Sequence, residues 1–468
     1  MKYDYDLICI GLGPAGMAVS IMGSEMGLRV CAIEKHKIGG ECMNCGCIPS
    51  KALLRMAQFR QNVEKLPLMQ LAELPLPAPQ KELFGKIQGD LKFINEKKTL
   101  KMFDKVDLIL GEAAEFVDAH TVKAGDRTVT AKRIFIATGT KPQLLPVPGL
   151  ATIPDLLTNE NLFTLDEVPE SLIVLGGGAI AAEMAQAFQR LGSKVTMIQR
   201  SPHILSKNDP EAAAVVEESL RQEGVDLRTG TTLKSVARVD GGVQVTTDKD
   251  EQLTAQRILA ATGRSMNFDA LKLQHAGVVT GRRGEITVNK HLQTSRKHIY
   301  AVGDCNGYYL FSHAAMHQGM IALMNSMMPL KMDFRKFAVP ATIFTEPQAS
   351  FVGLSEKELK EKGIRYETHI SRYEDYGAAI AEEVKEGFVK VFCSSLGKIY
   401  GAVIVGEGSG EMINEWALAV QKKVRMHEVM MLQHSFPTMG FLSKRVAENW
   451  MMAKMKNPVL KAMCKMMF

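Results

Sequence analysis

Residues 5–16 read Tyr-Asp-Leu-Ile-Cys-Ile-Gly-Leu-Gly-Pro-Ala-Gly, a short apolar run followed at once by a glycine-rich turn. The run has the length and the apolar content of a buried strand. Residues 17–26 favour a helix, and residues 29–33 favour a second strand that ends at Glu34, 23 residues after Gly11. This order predicts a β-turn-α-β unit.

The turn of this unit has the residues that a dinucleotide needs. Its glycines permit a tight turn, and they let the backbone approach a pyrophosphate at the helix N-terminus, where free amides and the helix dipole favour anions. The acid at the end of the second strand would bind the hydroxyl pair of a ribose. We therefore predict a dinucleotide site formed by Gly11, Gly13, Gly16 and Glu34. A glycine-rich turn without a ligand is the alternative.

The same order of elements recurs later in the chain. Residues 172–175 are an apolar run, residues 176–181 read Gly-Gly-Gly-Ala-Ile-Ala, and a predicted helix through Arg190 leads to a strand over residues 194–198. The sequence thus predicts a second dinucleotide-binding unit. The glycines of its turn that we assign to the ligand are Gly176 and Gly178.

The second unit differs from the first at the end of its second strand, which is Gln199-Arg200 instead of an acid. An acid would accept hydrogen bonds from the ribose 2′-hydroxyl and repel a 2′-phosphate. Arg200, helped by Lys207, would instead pair with that phosphate. This favours NADPH over NADH at the second unit. A solvent-facing Arg200 without a role is the alternative.

Length and composition indicate a globular protein of several domains. The chain has 468 residues, of which 46% are hydrophobic and 23% charged. The net charge of +6 is spread along the chain without a basic block, so a nucleic-acid partner is not expected. The first residues run straight into the first strand, and no apolar run approaches the roughly 18 residues of a membrane span. We therefore expect a cytoplasmic protein without an integral membrane segment.

Two further regions differ from these units. Residues 52–100 have a helical pattern that prolines interrupt, which predicts a loop between two helices. Those prolines are Pro67, Pro75, Pro77 and Pro79. After about residue 336 the pattern changes to strands, over residues 387–392 and 398–405, and long helices without a glycine-rich turn. We take this region as a separate C-terminal domain.

Three of the eight cysteines cluster in residues 39–51, which read Gly-Gly-Glu-Cys-Met-Asn-Cys-Gly-Cys-Ile-Pro-Ser-Lys. The remaining cysteines are scattered, unlike a secreted disulfide framework, so the cluster suggests redox or metal chemistry in a reducing compartment. Residues five apart in an ideal helix are displaced by about 7.5 Å along its axis, beyond the roughly 7 Å between the Cα atoms of a disulfide. A bond between Cys42 and Cys47 would therefore require a distorted helix, which Gly46 permits.

Two other interpretations of the cluster are open. The cysteines could pack as small hydrophobic residues, or they could bind zinc. A structural zinc site usually has four ligands in separated pairs, and no matching His or Cys pair lies nearby in the sequence. We therefore predict no metal site.

The pattern Gly-Gly-x-Cys-x4-Cys-x-Pro-Ser-Lys resembles the pyridine nucleotide-disulfide oxidoreductases, the family of dihydrolipoamide dehydrogenase, glutathione reductase and mercuric reductase. The resemblance covers essentially the whole chain. Its further segments are Ile-Ala-Thr-Gly at 136–139, Ala-Thr-Gly-Arg at 261–264, Tyr-Ala-Val-Gly-Asp at 300–304 and Phe-Thr-Glu-Pro at 344–347. It implies an α/β fold with two Rossmann-like dinucleotide-binding domains, for FAD and NAD(P), and a C-terminal α+β dimerisation domain.

Together with the pattern along the chain, the resemblance suggests domain borders. We predict an FAD-binding domain over residues 1–150, an NAD(P)-binding domain over 151–270, a return segment that completes the FAD domain over 271–335, and a C-terminal interface domain over 336–468. Family members are homodimers whose active sites use the partner's C-terminal domain. A homodimer is therefore implied here.

The resemblance also implies roles for individual residues. Cys42 and Cys47 would form a redox disulfide, with Cys47 against the flavin and Cys42 facing the substrate. Lys51 and Glu183 would form an ion pair beside the flavin N5, where positive charge helps hydride transfer. Asp304 would bind the ribityl chain. The other residues that the resemblance places at the cofactors are Thr138, Gly139, Gly263 and Ala315.

One segment departs from the family pattern. Disulfide reductases of the family carry His-Pro-x4-Glu near the C-terminus, where the histidine and its glutamate move a proton to and from the substrate-facing thiol. Aligned on Pro437, this chain has Phe436 at the histidine position and Phe441 at the glutamate position. Neither phenylalanine transfers a proton, a loss typically worth about 10²- to 10⁴-fold in rate, so turnover of a dithiol substrate should be poor. His434 could substitute, but we expect it to pack or to be solvated.

Two branches of the family also lack this histidine. Mercuric reductase has Phe-Pro in a similar setting and delivers a soft metal through a C-terminal cysteine pair, whereas this tail offers only Cys464 and methionines. 2-Ketopropyl coenzyme M oxidoreductase/carboxylase has Phe in place of the histidine, paired with a histidine where this chain has Phe441. Cys45 is a further addition. We expect it to be a small buried filler, with a third redox thiol or a metal ligand as alternatives.

These features predict an enzyme, an FAD-dependent NAD(P)H oxidoreductase. It would pass electrons through the flavin to Cys42 and Cys47 and on to a disulfide or a soft electrophile, as dihydrolipoamide dehydrogenase does with its substrate. The alternatives are a mercuric or other metal-ion reductase, an activity like that of 2-ketopropyl coenzyme M oxidoreductase/carboxylase, and a non-enzymatic FAD redox sensor or complex subunit. We expect the tail, residues 444–468, to be a dimer-packing helix that Pro458 interrupts.

Overall fold

The computed structural model describes residues 2–467, apart from the side chains of residues 459, 460, 463 and 464. The predicted role of Cys464 therefore lies outside the described residues. The chain divides into two compact units. The first unit comprises the residues up to Leu175, Arg190–Lys194 and Leu233–Lys336, and the second comprises Gly176–Gln189, Val195–Thr232 and the residues from Phe337 onward.

The chain combines α-helices with strands, and strands follow one another without an α-helix between them over residues 107–175 and 226–301. The α-helices are α1 (Pro14–Glu25), α2 (Gly40–Asn44), α3 (Cys47–Glu64), α4 (Leu83–Ile94), α5 (Ala179–Arg190), α6 (Pro210–Gln222), α7 (Ser312–Met327), α8 (Glu356–Glu361), α9 (Gly377–Ala381), α10 (Ser409–Lys422), α11 (Met426–Met431), α12 (Phe441–Met455) and α13 (Pro458–Met467). The β-strands are β1 (Tyr5–Ile10), β2 (Val30–Glu34), β3 (Asp107–Leu110), β4 (Ala114–Phe116), β5 (Thr121–Ala124), β6 (Arg127–Ile136), β7 (Lys141–Pro142), β8 (Ser171–Leu175), β9 (Lys194–Gln199), β10 (Asp226–Thr229), β11 (Leu233–Val239), β12 (Gly242–Thr247), β13 (Gln252–Ala255), β14 (Arg257–Ala260), β15 (Arg264–Ser265), β16 (Ile299–Ala301), β17 (Ala341–Ile343), β18 (Ala349–Gly353), β19 (Glu367–Arg372), β20 (Phe388–Cys393) and β21 (Ile399–Val405).

The largest sheet of the first unit is built around the long strand β6. The C-terminal half of β6 lies between β1 and β16, and β1 continues to β2 and β3, all in parallel. The N-terminal half of β6 pairs instead with β5 in an antiparallel hairpin that β4 extends. Ile10 lies opposite both Ile33 and Ile136, and Ile136 lies opposite Ala301. The carboxyl ends of four parallel strands therefore meet at one edge.

The parallel strands of this sheet are buried because helices cover them. Every residue of β2 is buried, as expected for a parallel strand with both faces covered. Helices α1 and α7 pack closely together, because a Cβ added to Gly319 would lie 2.4 Å from the Ala15 carbonyl oxygen. Helix α1 begins at Pro14, earlier than the predicted residue 17, since proline is favoured at the first helical position.

Smaller sheets complete the first unit. Strands β11, β12 and β13 form an antiparallel sheet, β7 pairs with β15, and β14 pairs with β8 in parallel. The predicted loop between two helices is confirmed. It runs from the end of α3 to the start of α4 and contains the prolines that predicted it.

The second unit contains the parallel pair β9 and β10 and an antiparallel five-stranded sheet in the order β17-β18-β21-β20-β19. The two predicted C-terminal strands correspond to β20 and β21. Helices α10 and α12 pack on this sheet around Trp416, which is fully buried and donates a hydrogen bond from Nε1 to Ser443 Oγ over 3.1 Å. The C-terminal residues form α12 and, from Pro458, α13.

A buried ion cluster lies between α6 and the C-terminal sheet of the second unit. Lys390 on β20 lies 2.8 Å from Asp209 Oδ1 and 2.9 Å from Glu211 Oε2. Asp209 is also the N-cap of α6, since its side chain accepts hydrogen bonds from the amides of Glu211 and Ala212. The Lys390 and Asp209 side chains are only 8% and 6% exposed. One carboxylate therefore both caps a helix and neutralises a buried lysine.

The observed architecture is the predicted mixed α/β fold. No helix in the described part of the chain is long and apolar enough to cross a membrane. The domain borders that we predicted from sequence stay predictions.

Candidate active site

The cysteine cluster lies in what we call the thiol segment, residues 39–51. The segment forms the short helix α2 and the start of α3, with Cys45 and Gly46 between them in non-helical conformations. A Cβ at Gly46 would lie 2.9 Å from the Glu41 carbonyl oxygen, so the backbone folds back too tightly for a side chain there. The predicted distortion of the helix between Cys42 and Cys47 is confirmed.

This break brings the sulfurs of Cys42 and Cys47 together. Their side chains hydrogen-bond to each other, and both residues are half-buried thiols. The hydroxyl of Ser312 joins them, with Oγ 3.1 Å from Cys47 Sγ and a further hydrogen bond to Cys42. Sequence reasoning missed Ser312. Its only sequence signal is a hydroxyl residue at the start of the helix that follows Asp304.

The surroundings of Cys42 act on its thiol in opposite directions. The hydrogen bond to Cys47 and then burial raise the pKa of Cys42 above its ordinary value, while the hydrogen bond to Ser312 and the charge of Lys51 lower it. Cys45 differs because its surroundings are mostly unfavourable to a thiolate. Burial, with the charges of Glu41 and Glu160, raises the pKa of Cys45 to about 12. Cys45 thus fits the predicted filler better than a third redox thiol.

Polar side chains hold the thiol segment in place. The amide nitrogen of Asn44 donates to the carbonyl oxygens of Ile38 and Gly40, over 3.0 and 2.8 Å, and its oxygen accepts from Asn95 over 3.0 Å. Glu41 forms an ion pair with Arg264, whose Nε also donates to Thr140 Oγ1 over 2.9 Å. These contacts attach the segment to helical and loop residues of the first unit on both sides of Cys42.

The first glycine-rich turn lies at the carboxyl end of β1. A Cβ at Gly16 would lie 1.9 Å from the Gly11 carbonyl oxygen, so only glycine allows α1 to start this close to the strand. Gly13 is the N-cap of α1 and provides no capping side chain, which leaves the amides of the first turn available to an anion. The Glu34 carboxylate accepts hydrogen bonds from the amides of Leu12 and His36 over 2.7 and 2.8 Å. It fixes the turn and retains lone pairs for ribose hydroxyls.

The neighbouring strand ends offer further groups that suit a hydroxyl-rich cofactor. Thr138 Oγ1 is buried without a hydrogen-bond partner among the described residues. Gly139 has open space where a side chain would be. Burial raises the pKa of Asp304, just beyond β16, to about 6, so hydroxyl donors at this carboxylate would be favourable. Ala315 on α7 packs against Gly303. These residues fit the nucleotide that the sequence predicts.

The second glycine-rich turn lies in the second unit. The amide of Gly176 donates to the Ile198 carbonyl oxygen over 2.9 Å, which ties the turn to β9. Gly178 has open space where a side chain would be, so a ligand can approach the backbone there. Arg200 is exposed directly after β9.

Gly263, the other glycine that the resemblance places at a cofactor, lies in the first unit. It follows β14 with a φ of +135°.

The two members of the predicted ion pair belong to different units. Lys51 lies on α3 of the first unit and acts on Cys42 through its charge. Glu183 lies on α5, is only 5% exposed, and accepts a hydrogen bond from the Phe344 amide over 2.9 Å. Each residue is held by its own unit. The pair between them stays a prediction.

The departure from the family pattern lies in what we call the phenylalanine segment, residues 434–441. The Phe436 ring is 72% exposed and meets the Phe441 ring edge-on, with centroids 5.3 Å apart. Phe441 is half-buried and stacks on Tyr376. Neither of these positions offers an acid or a base.

His434 is packed, which is one of the two expected outcomes, and in addition it is hydrogen-bonded to a carboxylate that the sequence did not indicate. Its side chain is 8% exposed, with Nε2 3.0 Å from Glu415 Oε1 and Nδ1 3.3 Å from the Leu432 carbonyl oxygen. Sequence reasoning missed Glu415, because it lies on α10, 19 residues before His434. The segment therefore retains a histidine-carboxylate pair at a position that the family pattern does not contain.

Known proteins resemble this chain over nearly its whole length. The family model described as Pyridine nucleotide-disulphide oxidoreductase matches residues 5–319, and the model of the dimerisation domain of that family matches residues 339–444. A mercuric reductase of Staphylococcus aureus is 34% identical over 89% of this chain and 77% of the relative. A dihydrolipoyl dehydrogenase of Thermus scotoductus is 33% identical over 93% of this chain and 95% of the relative. Among solved structures, the HOCl-induced flavoprotein disulfide reductase RclA from Escherichia coli superposes with a TM-score of 0.86 at 26% identity, covering 95% of this chain and 99% of that chain.

Proposed function

The chain belongs to the pyridine nucleotide-disulphide oxidoreductase family, and from that premise we propose that it passes electrons from NADPH through FAD to Cys42 and Cys47. The predicted family, the predicted fold class and the predicted enzyme class, a flavoprotein NAD(P)H oxidoreductase, are confirmed by the family matches and the named relatives. The proposal adds the identity of the cofactors, the residues that act and the kind of final acceptor.

The observation that carries the proposal is the contact between the Cys42 and Cys47 thiols at the start of α3. Sulfurs that hydrogen-bond to each other as thiols are close enough to exchange that contact for a disulfide with small local movement. In the balanced reaction, NADPH and one proton reduce the disulfide to two thiols. The pair returns to the disulfide by giving two electrons to the acceptor.

The residues at the sheet edge of the first unit would hold FAD. The free amides at the start of α1 would bind its pyrophosphate, Glu34 a ribose, and Asp304 and Thr138 the hydroxyl-bearing chain. A bound flavin supplies the hydride acceptance and two-electron transfer that side chains cannot perform. Arg200 in the second unit supports NADPH over NADH, since a guanidinium pairs with a 2′-phosphate.

The final acceptor in the proposal is a disulfide or a soft electrophile that needs no protein imidazole. Phe436 and Phe441 support this, because neither donates a proton to a leaving thiolate. A second candidate is a soft metal ion as substrate, since a metal ion accepts electrons without a proton. The names of the mercuric reductases and a structure of RclA as a Cu(II) complex belong to the relatives, and they support testing this candidate here.

The match to a dimerisation domain supports a homodimer. We propose that the partner's C-terminal domain completes the active site, as the family resemblance implies, and that the protein works in a reducing compartment such as the cytoplasm. Crosslinking together with size determination in solution tests the first part. A monomer that retains full activity would contradict it.

An anaerobic titration of the purified flavoprotein tests the proposed function. The first equivalent of NADPH is expected to add two titratable thiols per chain while the flavin returns to its oxidised form, and further NADPH is expected to bleach the flavin, with NADH less effective. The reduced protein is then mixed in parallel with lipoamide, glutathione disulfide, coenzyme disulfides, Hg(II) and Cu(II). Reoxidation by a disulfide supports the first candidate, and reoxidation by a metal ion alone supports the second. A protein in which excess NADPH neither adds thiols nor bleaches the flavin would overturn the proposal and favour a redox sensor.

A further inference from the structure

Ser312 is a polar side chain at the cysteine pair that comes from a distant part of the chain. Its Oγ lies 3.1 Å from Cys47 Sγ, although 265 positions separate the two residues. It also hydrogen-bonds to Cys42, so one hydroxyl contacts both sulfurs. The fold, and not the local sequence, therefore places the Ser312 hydroxyl at the two sulfurs that the proposed function uses.

Two helices begin at this contact. Cys47 is the first residue of α3, which has 18 residues, and Ser312 is the first residue of α7, which has 16. The N-cap residues Gly46 and Phe311 make no side-chain cap hydrogen bond, so no N-cap side chain occupies the amides of either first turn. Helix N-termini carry partial positive charge and favour a thiolate. The position is therefore suited to a negatively charged sulfur.

Ser312 contributes something that the other neighbours of the pair do not. Cys47 and burial oppose the thiolate of Cys42, and Lys51 favours it through charge alone. Ser312 favours the thiolate by donating an O–H, as a neutral group that does not titrate in the range of thiols. Its side chain is not needed to cap α7, since the N-cap position belongs to Phe311.

We propose that Ser312 is a catalytic residue of the thiol pair, whose hydroxyl donates a hydrogen bond to the reducing thiolate and so stabilises its negative charge. The proposal rests on the proposed function, because it concerns the same sulfurs. No covalent step involves Ser312. It keeps its proton, and the proton of the ionising thiol goes to solvent.

Other charged groups that face the pair bear on the pH dependence. One is Lys51 on α3, whose charge acts on Cys42. The other is Asp304, which precedes α7 and interacts electrostatically with Cys47. Burial raises the pKa of Asp304 to about 6, below the ordinary pKa of a thiol. Asp304 therefore keeps a constant charge while the thiols ionise. A change of the thiol midpoint on substitution of Ser312 reports the hydroxyl.

The test measures thiolate formation without turnover. The flavoprotein is reduced with NADPH anaerobically, and the rate of alkylation of Cys42 by iodoacetamide is followed against pH by tandem mass spectrometry, which separates Cys42 from Cys45 and Cys47. For Ser312→Ala, the midpoint is expected to rise by about one pH unit, which slows alkylation at neutral pH about tenfold. Ser312→Thr, which keeps the hydroxyl, should restore the wild-type midpoint.

A matched control lies on the same helix. Ser326 on α7 donates its hydroxyl to the Leu323 carbonyl oxygen over 2.7 Å, and Ser326→Ala should leave the midpoint unchanged. An unchanged midpoint in Ser312→Ala would overturn the inference, and so would an equal shift in Ser326→Ala. Failure of the proposed function would appear differently, as wild-type protein in which NADPH produces no new thiols. Flavin content and circular dichroism of each variant show that the fold is retained.

Discussion

In a member of this family, the thiol segment would carry electrons and the phenylalanine segment would carry protons. In this chain the two segments differ in the side chains that they contain. In the thiol segment, polar groups converge: Cys42, Cys47 and Ser312 hydrogen-bond to one another, and Lys51 adds its charge. In the phenylalanine segment, an exposed Phe436 contacts Phe441, and no donor stands at either position.

Under the proposed function, the thiol segment offers a place to store electrons on sulfur, whereas the phenylalanine segment lacks the residues that would supply protons. A histidine-carboxylate pair is still present, formed by His434 and Glu415, but the imidazole is largely buried and already bonded. The chemistry that suits such a site is reduction of an acceptor whose product needs little protonation by the protein. The following substitutions test each side of this comparison.

The largest effect is expected from removing one sulfur. Cys47→Ser should lower NADPH-dependent reduction of every acceptor by about 10³-fold or more, because the variant cannot form the disulfide that accepts electrons. Steady-state acceptor reduction measures the loss. Cys45→Ser in the same segment is the control and should keep its activity, since partial burial, with the charges of Glu41 and Glu160, disfavours a thiolate at Cys45. Equal losses in both variants would contradict the assignment of the pair.

Restoring the family residues in the phenylalanine segment tests whether the missing proton donor limits turnover. The double variant Phe436→His, Phe441→Glu should raise lipoamide turnover by about 10²-fold, the lower end of what general acid-base catalysis contributes. Phe436 is 72% exposed, so the histidine should not disturb packing. Turnover of lipoamide is compared with that of Phe436→Leu, which should show no gain. If the double variant also gains nothing, proton supply is not what limits this enzyme.

The preference for NADPH over NADH should depend on the second glycine-rich unit and not on the phenylalanine segment. Arg200→Glu should change the ratio of kcat/KM for NADPH and NADH by about tenfold in favour of NADH, since a charge-assisted hydrogen bond is lost and repulsion of the 2′-phosphate is gained. Initial rates with each nucleotide give the ratio. Arg365→Glu makes the same charge change at another exposed site of the second unit and should leave the ratio unchanged. A ratio that does not move in Arg200→Glu would remove Arg200 from the nucleotide site.

The smallest effect is expected at His434. His434→Gln should lower the free energy of unfolding by about 1–2 kcal/mol, because it removes a partly buried hydrogen bond to a carboxylate. Thermal and denaturant unfolding measure the change against His427→Gln, whose imidazole is exposed on α11. A large loss of activity at unchanged stability would instead give His434 a part in proton transfer. It would contradict the view that the phenylalanine segment supplies no proton.

Local patterns account for what could be predicted from sequence. The strand, turn and helix around Gly11 follow from spacing within a few residues, and the broken helix at Gly46 follows from the distance that two cysteines must cover. Ser312 and Glu415 could not be predicted in the same way. Their contacts with Cys47 and His434 depend on which helix the fold brings alongside, and a single hydroxyl or carboxylate on a helix has no distinguishing pattern. The assignments of Arg200 and of the Lys51 pair with Glu183 stay predictions.

The ion cluster at Lys390 limits how this protein can be divided for experiments. Asp209 precedes the C-terminal region by more than a hundred positions, yet its carboxylate is neutralised by a lysine of that region's sheet. Truncation after residue 336 would remove the cation and leave a helix-capping carboxylate uncompensated, and breaking one side of a buried pair typically costs about 3–5 kcal/mol. A recombinant fragment meant to isolate the nucleotide-binding part should therefore keep β20, or replace Asp209 with asparagine, which retains the cap and carries no charge.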